Sequence, residues 1–222
     1  MGGSFQRRLL YLYSFGWNVG IKYEYIRDIG YSDCKYLIII CLSCHIFRYG
    51  PGVNGETVTE TSPIADSKSS ARMAGLVHAE EACLRHGGCC LRLGGLYRLE
   101  RGTHTFYFSP PSASFLNVRG DGLINQIHYD DAAGACIAAI RKGHSLIGGK
   151  IFLLSDGQPM TREAICACAL QYPQFQDKYS MPKFAEGGAT LDGKVYDGSK
   201  SNEWLDWKPQ HTFQEMMETV SR

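Results

Sequence analysis

Residues 36–42 form an unbroken apolar run, Tyr-Leu-Ile-Ile-Ile-Cys-Leu. The run has the length of a strand, and its β-branched residues favour extended backbone. Polar and apolar side chains do not alternate in it, so both faces of the strand must be covered. Strands of this kind are typical of parallel sheets, in which helices pack on the two faces. The run therefore predicts a central strand of a parallel sheet.

Helical and extended patterns alternate after this run. Residues 71–85 carry alanine, leucine and valine at helical spacing, and Gly87 and Gly88 follow as a predicted C-cap. Residues 89–93 predict a short strand, and residues 150–154 predict another. Strands that alternate with helices are typical of βαβ units, so the sequence predicts an α/β fold.

The second half of the chain predicts further helices. Asp130 is placed to cap a helix of small residues over 132–142, and residues 161–171 predict another helix. The segment that begins at Thr212, Thr-Phe-Gln-Glu, has the spacing of a capping box for a last helix. Residues 106–122 contain two adjacent prolines and show no period, so we expect a loop beside a pocket there.

The composition of the chain changes near Tyr49. No alanine occurs before Ala65, whereas tyrosines are crowded into the preceding part. We therefore divide the chain into a divergent leader, residues 1–48, and a domain over residues 49–222. Two interpretations of the leader stay open: an ordinary mobile or disordered extension, or an artefact of the gene model.

Length and charge limit the class of protein. A chain of 222 residues builds one domain of good size, and a net charge of +1 from scattered charges gives no footprint for nucleic acid. The apolar stretch over 36–47 is too short for a membrane span. We therefore expect a small-molecule substrate, with neither nucleic acid nor a membrane as partner.

The nine cysteines predict free thiols in a reducing compartment, the cytoplasm. Their number is odd, the sequence shows no hydrophobic secretory leader, and several cysteines lie inside apolar segments. The close pairs are Cys41 and Cys44, Cys89 and Cys90, and Cys166 and Cys168. A structural zinc site requires four ligands, typically from two such pairs with histidine nearby, so we expect structural thiols and no metal site.

Five short segments occur in order along the domain. They are Gly-Glu-Thr-Val-Thr-Glu at 55–60, Leu-Arg-Leu-Gly-Gly-Leu-Tyr at 91–97, Asn-Gln-Ile-His-Tyr-Asp-Asp at 125–131, Phe-Leu-Leu-Ser-Asp-Gly at 152–157 and Leu-Asp-Trp-Lys-Pro at 205–209. The series resembles the NAD-dependent epimerase/dehydratase family, the extended short-chain dehydrogenase/reductases, in their atypical branch and with the front third absent or replaced. The resemblance implies an incomplete Rossmann-like parallel sheet with a small C-terminal substrate lobe.

The same resemblance implies a cofactor, NAD or NADP, and a substrate such as a nucleotide sugar. Gly94, Gly95, Leu96 and Tyr97 would face the nicotinamide and the substrate at the carboxyl end of a strand. The alternative for these residues is a glycine-rich exit from the strand that only turns the chain.

Substrate contacts are implied at Arg101, Asn125 and His128. Arg101 would pair with a phosphate through its planar guanidinium, or else be a solvated surface arginine. His128 would either shape the pocket or transfer a proton. His128 and Ser43, which follows the apolar run, are the catalytic candidates, and a turn or packing role is the alternative for Ser43.

Two parts of the family pattern are missing from their expected places. The glycine-rich turn for the cofactor pyrophosphate has one literal match, residues 50–55, but Glu-Thr-Val-Thr-Glu and not a helical pattern follows it. A Tyr-x-x-x-Lys pair, in which lysine lowers the tyrosine pKa, belongs on the helix that carries Glu80, where Arg72 and Leu76 stand instead. Literal matches elsewhere begin at Tyr31, Tyr179 and Tyr196.

Two functions therefore stay open. The first is an NAD(P)-dependent epimerase/dehydratase-like oxidoreductase that acts on a nucleotide sugar or a similar carbonyl substrate. The second is a non-catalytic fragment or pseudoenzyme without dinucleotide binding. A sheet that lacks its first strands would expose unpaired backbone groups, so we also expect self-association through that edge.

Overall fold

The computed structural model describes residues 11–14, 39–44, 49, 55–64, 71–109, 118–186 and 193–219, and it gives only the backbone of residues 11–14, 39–44 and 71–73. The strands are β1 (Tyr11–Ser14), β2 (Ile39–Cys44), β3 (Glu56–Val58), β4 (Cys89–Leu93), β5 (Gly95–Tyr97), β6 (Leu123–Ile124), β7 (Gln126–His128), β8 (Ile151–Leu154), β9 (Met160–Thr161) and β10 (Lys194–Tyr196). The helices are α1 (Ala71–Arg85), α2 (Thr103–Phe108), α3 (Tyr129–Lys142), α4 (His144–Ile147), α5 (Arg162–Ala169), α6 (Pro173–Gln176), α7 (Ser199–Leu205) and α8 (Phe213–Thr219).

A parallel sheet of four strands, in the order β1-β2-β4-β8, forms the centre of the fold. All residues of β4 are buried, as a strand inside a parallel sheet requires. The register is continuous, because Leu91 of β4 lies between Leu42 of β2 and Phe152 of β8. The predicted α/β class and Rossmann-like parallel sheet are confirmed.

Two strands differ from the sequence prediction. The apolar run forms β2, which is described over residues 39–44 and ends two residues past the predicted end, while residues 36–38 lie outside the described part of the chain. β1 pairs with β2, although the sequence before residue 36 shows no strand pattern. Both strands lie within the predicted leader, residues 1–48, so the division of the chain at Tyr49 stays a prediction.

Apolar side chains form two main clusters. One lies between the sheet and α3, where Ala132, Ala135 and Ala139 are small enough to let the helix approach the strands closely. The other lies between α2, α5 and α8 and forms the core of a small C-terminal lobe, with Phe108 and Phe213 among its largest side chains. Three two-stranded pairs, β5-β7, β3-β10 and β6-β9, connect these regions.

The helix ends follow the predicted capping chemistry in three cases. α1 ends at Arg85 and is followed by Gly87, whose φ of 75° favours glycine, and the N–H of Gly88 donates to a carbonyl in the last turn of the helix. The Thr161 hydroxyl accepts an N–H from the first turn of α5. Thr212 and Glu215 form the predicted capping box of α8 through reciprocal side-chain and backbone hydrogen bonds.

One helix begins earlier than predicted, and another was not predicted. α3 begins at Tyr129, and its N-cap is His128 rather than Asp130, because Nδ1 of His128 accepts the N–H of Asp130 at 3.2 Å. The expected loop over residues 106–122 is wrong in its first part, since residues 106–108 belong to α2 and pack two aromatic rings into the lobe. The start of α3 depends on a local side-chain cap, whereas α2 depends on packing in the lobe, which local propensity does not contain.

The two outer strands of the sheet differ in how they are covered. The N–H of Leu153 in β8 donates to the hydroxyl of Ser201 in α7 at 2.8 Å, and that hydroxyl donates to Glu60. Among the described residues no strand pairs with the outer edge of β1. Self-association through that edge stays a prediction. None of the helices in the described part of the chain combines the length and apolarity that crossing a membrane demands.

Candidate functional site

The carboxyl ends of β4 and β8 lie beside the start of β7 at one edge of the fold. The N–H of Gly94, just past β4, donates to the carbonyl oxygen of Leu154 at 2.8 Å. The N–H of Asp156, just past β8, donates to the carbonyl oxygen of Gln126 at 2.7 Å. Open α/β sheets bind their ligands outside the carboxyl ends of the strands, so this edge is the candidate functional site.

Gly94 and Gly95 bring β5 close to the residue before β7. The N–H of Gly95 donates to the carbonyl oxygen of Asn125 at 2.8 Å. A Cβ atom on Gly94 would lie 3.0 Å from the same oxygen, whereas a Cβ on Gly95 would lie 3.5 Å from it. The N–H groups of Gly94 and Gly95 thus already donate to backbone carbonyl oxygens of the protein. Tyr97 is fully buried and Leu96 is half-buried. The cofactor contact implied for these four residues stays a prediction.

We expect Gly94→Ala to lower the free energy of unfolding by about 1–3 kcal/mol, because the added methyl group meets backbone atoms that cannot rotate away. Gly95→Ala is the matched control, since its methyl group makes ordinary contacts, and we expect it to cost less than about 1 kcal/mol. Chemical denaturation of both variants measures the difference. Equal losses would show that the approach of the two segments is not tight.

Asn125, an implied substrate contact, joins β10 to the site. Its Nδ2 donates to the carbonyl oxygen of Lys194 at 2.6 Å, and its Oδ1 accepts the N–H of Tyr196 at 2.8 Å. The side chain is buried and both of its polar atoms are occupied by backbone groups. Its contact with a substrate therefore remains a prediction that the resemblance alone supports.

His128 lies among other rings at the end of β7. Its ring stacks on His211 with the centroids 4.5 Å apart, and it meets the ring of Tyr97 edge-on at 5.4 Å. Because Nδ1 accepts a backbone N–H, the neutral ring carries its proton on Nε2. Burial lowers the pKa of His128, and the neighbouring His211 lowers it further. Proton transfer by His128 stays a prediction.

Asp131, in the first turn of α3, accepts hydrogen bonds from the segment before α8. Its Oδ1 accepts the N–H of Gln210 and its Oδ2 accepts the N–H of His211, each at 2.9 Å. The hydroxyl of Tyr97 donates to the carbonyl oxygen of His211 at 3.2 Å. His211 was not predicted, because a single sequence shows no pairing between residues 80 positions apart.

Two polar side chains buried at this edge carry atoms without a hydrogen-bond partner in the described part of the chain. Neither Oε1 nor Nε2 of Gln126 has a partner, although the residue is fully buried. Oδ2 of Asp156 has no partner either. Burial raises the pKa of Asp156 to about 7, so this carboxyl group can both give and accept a proton near neutral pH. Asp156 belongs to a recognised segment, but its burial was not visible from the sequence.

Tyr97 is not an activated tyrosine. Burial raises the pKa of its phenol, and the carboxylates of Asp156 and Asp131 raise it further. The family chemistry requires the opposite shift, which a nearby lysine provides. The Tyr97 hydroxyl therefore stays protonated and acts as a hydrogen-bond donor.

The literal Tyr-x-x-x-Lys matches do not share a helix where the structure describes them. The match that begins at Tyr179 lies in an exposed irregular segment, and the match that begins at Tyr196 is divided between β10 and α7. The match at Tyr31 lies outside the described residues. Leu76 of α1, which stands where the lysine belongs, is buried in the interior.

The other implied site residues are spread over separate elements. Ser43 lies on β2, where only the backbone is described. Residues 50–54 of the glycine-rich match lie outside the described residues, and Gly55 leads directly into β3, which is a strand and not a helix. Arg101 closes a tight turn with Arg98, and their backbone N–H and carbonyl groups pair at 2.7 and 3.1 Å. The roles of Ser43 and Arg101 stay predictions.

A buried ion pair joins α1 to β4. Nη2 of Arg92 lies 2.9 Å from Oε2 of Glu80, and the side chains are only 6% and 2% exposed. Nη1 of Arg92 also donates to the hydroxyl of Tyr49 at 3.1 Å. Burial lowers the pKa of Arg92, but the hydrogen bonds and charge of Glu80 more than offset this effect. Arg92 therefore stays charged and holds three parts of the chain together.

The cysteines act as small apolar side chains in this part of the protein. Those whose side chains are described are free thiols: Cys83, Cys89, Cys90, Cys136, Cys166 and Cys168. Burial raises the pKa of Cys136 and of Cys166 to about 12. Thiols with such pKa values stay protonated at neutral pH and are poor nucleophiles.

Comparisons with solved structures show the fold. A functionally unknown conserved protein from Silicibacter pomeroyi superposes with a TM-score of 0.63 at 18% identity, covering 82% of this chain and 65% of its own. The dTDP-glucose 4,6-dehydratase of Bacillus anthracis, solved with NAD, gives 0.62 at 16% identity, covering 83% and 60%. The UDP-glucuronic acid 4-epimerase of Bacillus cereus, solved with UDP-glucuronic acid and NAD, gives 0.61 at 15% identity, covering 81% and 59%.

This chain thus spans about three fifths of the length of these proteins. At such low identity the likeness establishes a Rossmann-like α/β fold of the kind found in NAD-bound sugar-nucleotide epimerases and dehydratases. The sequence matches no protein-family model and no curated protein.

Proposed function

We propose that the protein is an NAD(P)-dependent epimerase/dehydratase-like oxidoreductase that acts on a nucleotide sugar or a similar carbonyl substrate. The supporting observation is the site at the carboxyl ends of β4 and β8 and the start of β7, where a carboxyl group with a pKa of about 7 lies close to buried Tyr97. The fold likeness to enzymes solved with NAD supports the same proposal. Residues 49–222 would then form the epimerase/dehydratase-like domain, with residues 1–48 as the divergent leader.

The described residues fit the substrate end of such a site better than the cofactor end. The unpartnered polar atoms of Gln126 and Asp156 suit a polar ligand at this edge. By contrast, the amides of Gly94 and Gly95 are occupied, and the described residues show no glycine-rich turn before a helix for a pyrophosphate. When bound, NAD or NADP would supply the hydride chemistry.

The residues of the chain would then contact the cofactor and the substrate and exchange a proton. Gly94, Gly95, Leu96 and Tyr97 would line the nicotinamide side without any hydrogen bond from the two occupied glycine amides, and Asp156 would exchange a proton with the substrate. In the substrate lobe, Arg101 would bind phosphate, while Asn125 and His128 would shape the pocket. Ser43 would orient the substrate from the end of β2.

A second function is favoured by two specific observations. Leu76 is buried on α1 where the lysine of an active Tyr-x-x-x-Lys pair belongs, and Tyr97 has a raised pKa. Both features suit a non-catalytic fragment or pseudoenzyme without dinucleotide binding. On that proposal the site binds a small ligand and transfers no hydride.

Titration of the purified chain with NADH and NADPH separates the two proposals. We expect saturable enhancement of nicotinamide fluorescence and a higher melting temperature, because a ligand that binds only the folded state stabilises it. UDP-glucose is titrated in parallel by calorimetry. A folded protein that binds UDP-glucose but neither dinucleotide would support the pseudoenzyme, and one that binds none of the three would contradict the oxidoreductase.

We expect Arg101→Met to raise the Kd for UDP-glucose at least about tenfold, since it removes a bidentate, charge-assisted contact to phosphate. Arg98→Met is the matched control, because Arg98 lies in the same turn and forms an exposed pair with Glu100. Calorimetry of both variants measures the difference, and melting temperatures confirm that both fold. Equal affinities in the two variants would remove Arg101 from the site.

A further inference from the structure

We propose that His128, Asp130 and His211 bind a divalent transition-metal ion such as Zn²⁺, which joins the start of α3 to the segment before α8. One possible ligand atom from each residue lies within 4.8 Å of the other two. Two imidazoles and one carboxylate are a donor set that zinc, cobalt and nickel accept. The site goes beyond the oxidoreductase proposal, because it requires neither a dinucleotide nor a sugar.

His128 and Asp130 form one half of this metal site. Nδ1 of His128 lies 3.7 Å from Oδ2 of Asp130. Two donors bound tetrahedrally at about 2.1 Å lie about 3.4 Å apart, so a small rotation of either side chain is sufficient. Nδ1 also carries the free electron pair, since it accepts a backbone N–H at 3.2 Å. A metal ion would replace this long hydrogen bond.

His211 forms the other half of the metal site, and Asp131 orients its ring. Nδ1 of His211 lies 3.1 Å from Oδ1 of Asp131, so Nδ1–H donates to the carboxylate and Nε2 keeps its electron pair for a metal. A carboxylate behind a metal-binding imidazole fixes the tautomer and orientation of the ring. Asp131 is 3% exposed and also accepts two backbone N–H groups, which keep it in place.

Access and charge also suit a cation. The side chains of Asp130 and His211 are 78% and 43% exposed, so an ion can enter from solvent and water can complete its coordination. The centroids of the two imidazole rings lie 4.5 Å apart, and the stacked rings must rotate to direct both nitrogen electron pairs at one ion. The N-terminus of α3 repels cations, but Asp130 and Asp131 place two carboxylates on its first turn.

Co²⁺ titration of the tag-free chain, followed by visible absorption, tests the proposal without any enzyme assay. We expect absorbance that saturates at one equivalent, displacement of Co²⁺ by Zn²⁺, and a melting temperature that rises with Zn²⁺. Asp130→Asn and His211→Gln should each weaken Co²⁺ binding at least about tenfold. His86→Gln, an exposed histidine after α1, is the matched control and should leave it unchanged.

Asp130→Asn alters an exposed side chain, so a folding defect does not obscure the result. Absence of saturable Co²⁺ absorbance in the folded wild-type chain would overturn the proposal. Equal affinity in Asp130→Asn, His211→Gln and His86→Gln would also overturn it. Intense thiolate-to-cobalt bands that persist in the two site variants would assign the binding to cysteines and exclude this site.

Discussion

Arg92→Met is expected to lower the free energy of unfolding by about 3–5 kcal/mol. The substitution removes the guanidinium that pairs with Glu80 and leaves the Glu80 carboxylate buried and uncompensated. It also removes the hydrogen bond from Arg92 to the hydroxyl of Tyr49. Urea denaturation followed by far-ultraviolet circular dichroism measures the loss.

Two further variants show whether the loss comes from a stranded charge. Arg92→Met combined with Glu80→Met removes both charges, and we expect it to recover most of the stability because apolar side chains of similar size replace a buried pair well. Arg98→Met breaks an exposed pair with Glu100 and should cost less than about 0.5 kcal/mol. A double variant as unstable as the single one would show that packing, and not charge, explains the effect.

Asp156→Asn is expected to raise the free energy of unfolding by about 2–4 kcal/mol at pH 8. Burial raises the pKa of Asp156 from 3.8 to about 7, so above pH 7 the folded protein carries a buried, ionised carboxylate. Asparagine keeps the oxygen that accepts the N–H of Gln158 and carries no charge. Thermal and urea denaturation between pH 4 and pH 8 measure the gain.

The sign of this effect follows from proton binding. Between pH 3.8 and about 7 the folded state holds the Asp156 proton and the unfolded state does not, so stability falls as the pH rises. The gain from asparagine should therefore be largest above pH 7 and vanish near pH 4. Buried His104 has a lowered pKa and acts in the opposite sense, but it is present in both proteins and cancels.

Asp177→Asn, at an exposed position after α6, is the matched control and should change stability little at any pH. A difference between Asp156→Asn and the wild type that stays constant from pH 4 to pH 8 would contradict the raised pKa. Loss of stability at pH 8 would show that the Asp156 charge has a partner.

The sequence predicted those elements whose local pattern agrees with their environment. β4 and β8 are short apolar runs that the interior of a parallel sheet requires, and α1 carries its own C-cap. β1 was missed because its four residues show no period, and its pairing with β2 supplies the extended conformation. α2 was missed because packing of Tyr107 and Phe108 into the lobe stabilises a helix that propensity does not favour.

The candidate site was less predictable because long-range burial defines its chemistry. The segments that carry Gly94, His128 and Asp156 were recognised, but only the fold shows that both glycine amides are occupied. The raised pKa of Asp156 depends on burial, which no spacing of residues reveals. The partnership of Asp131 with His211 joins residues 80 positions apart.

The contacts of His211 also determine when the candidate site can form. Tyr97 and Asp131 reach His211 across 114 and 80 residues of chain. During synthesis the ring cluster around His128 therefore stays incomplete until residue 211 has left the ribosome, long after the sheet strands have been made. Closing such long loops is slow, so we expect this edge to be among the last parts of the molecule to fold. A ligand of the site would accordingly recognise the finished protein and ignore the nascent chain.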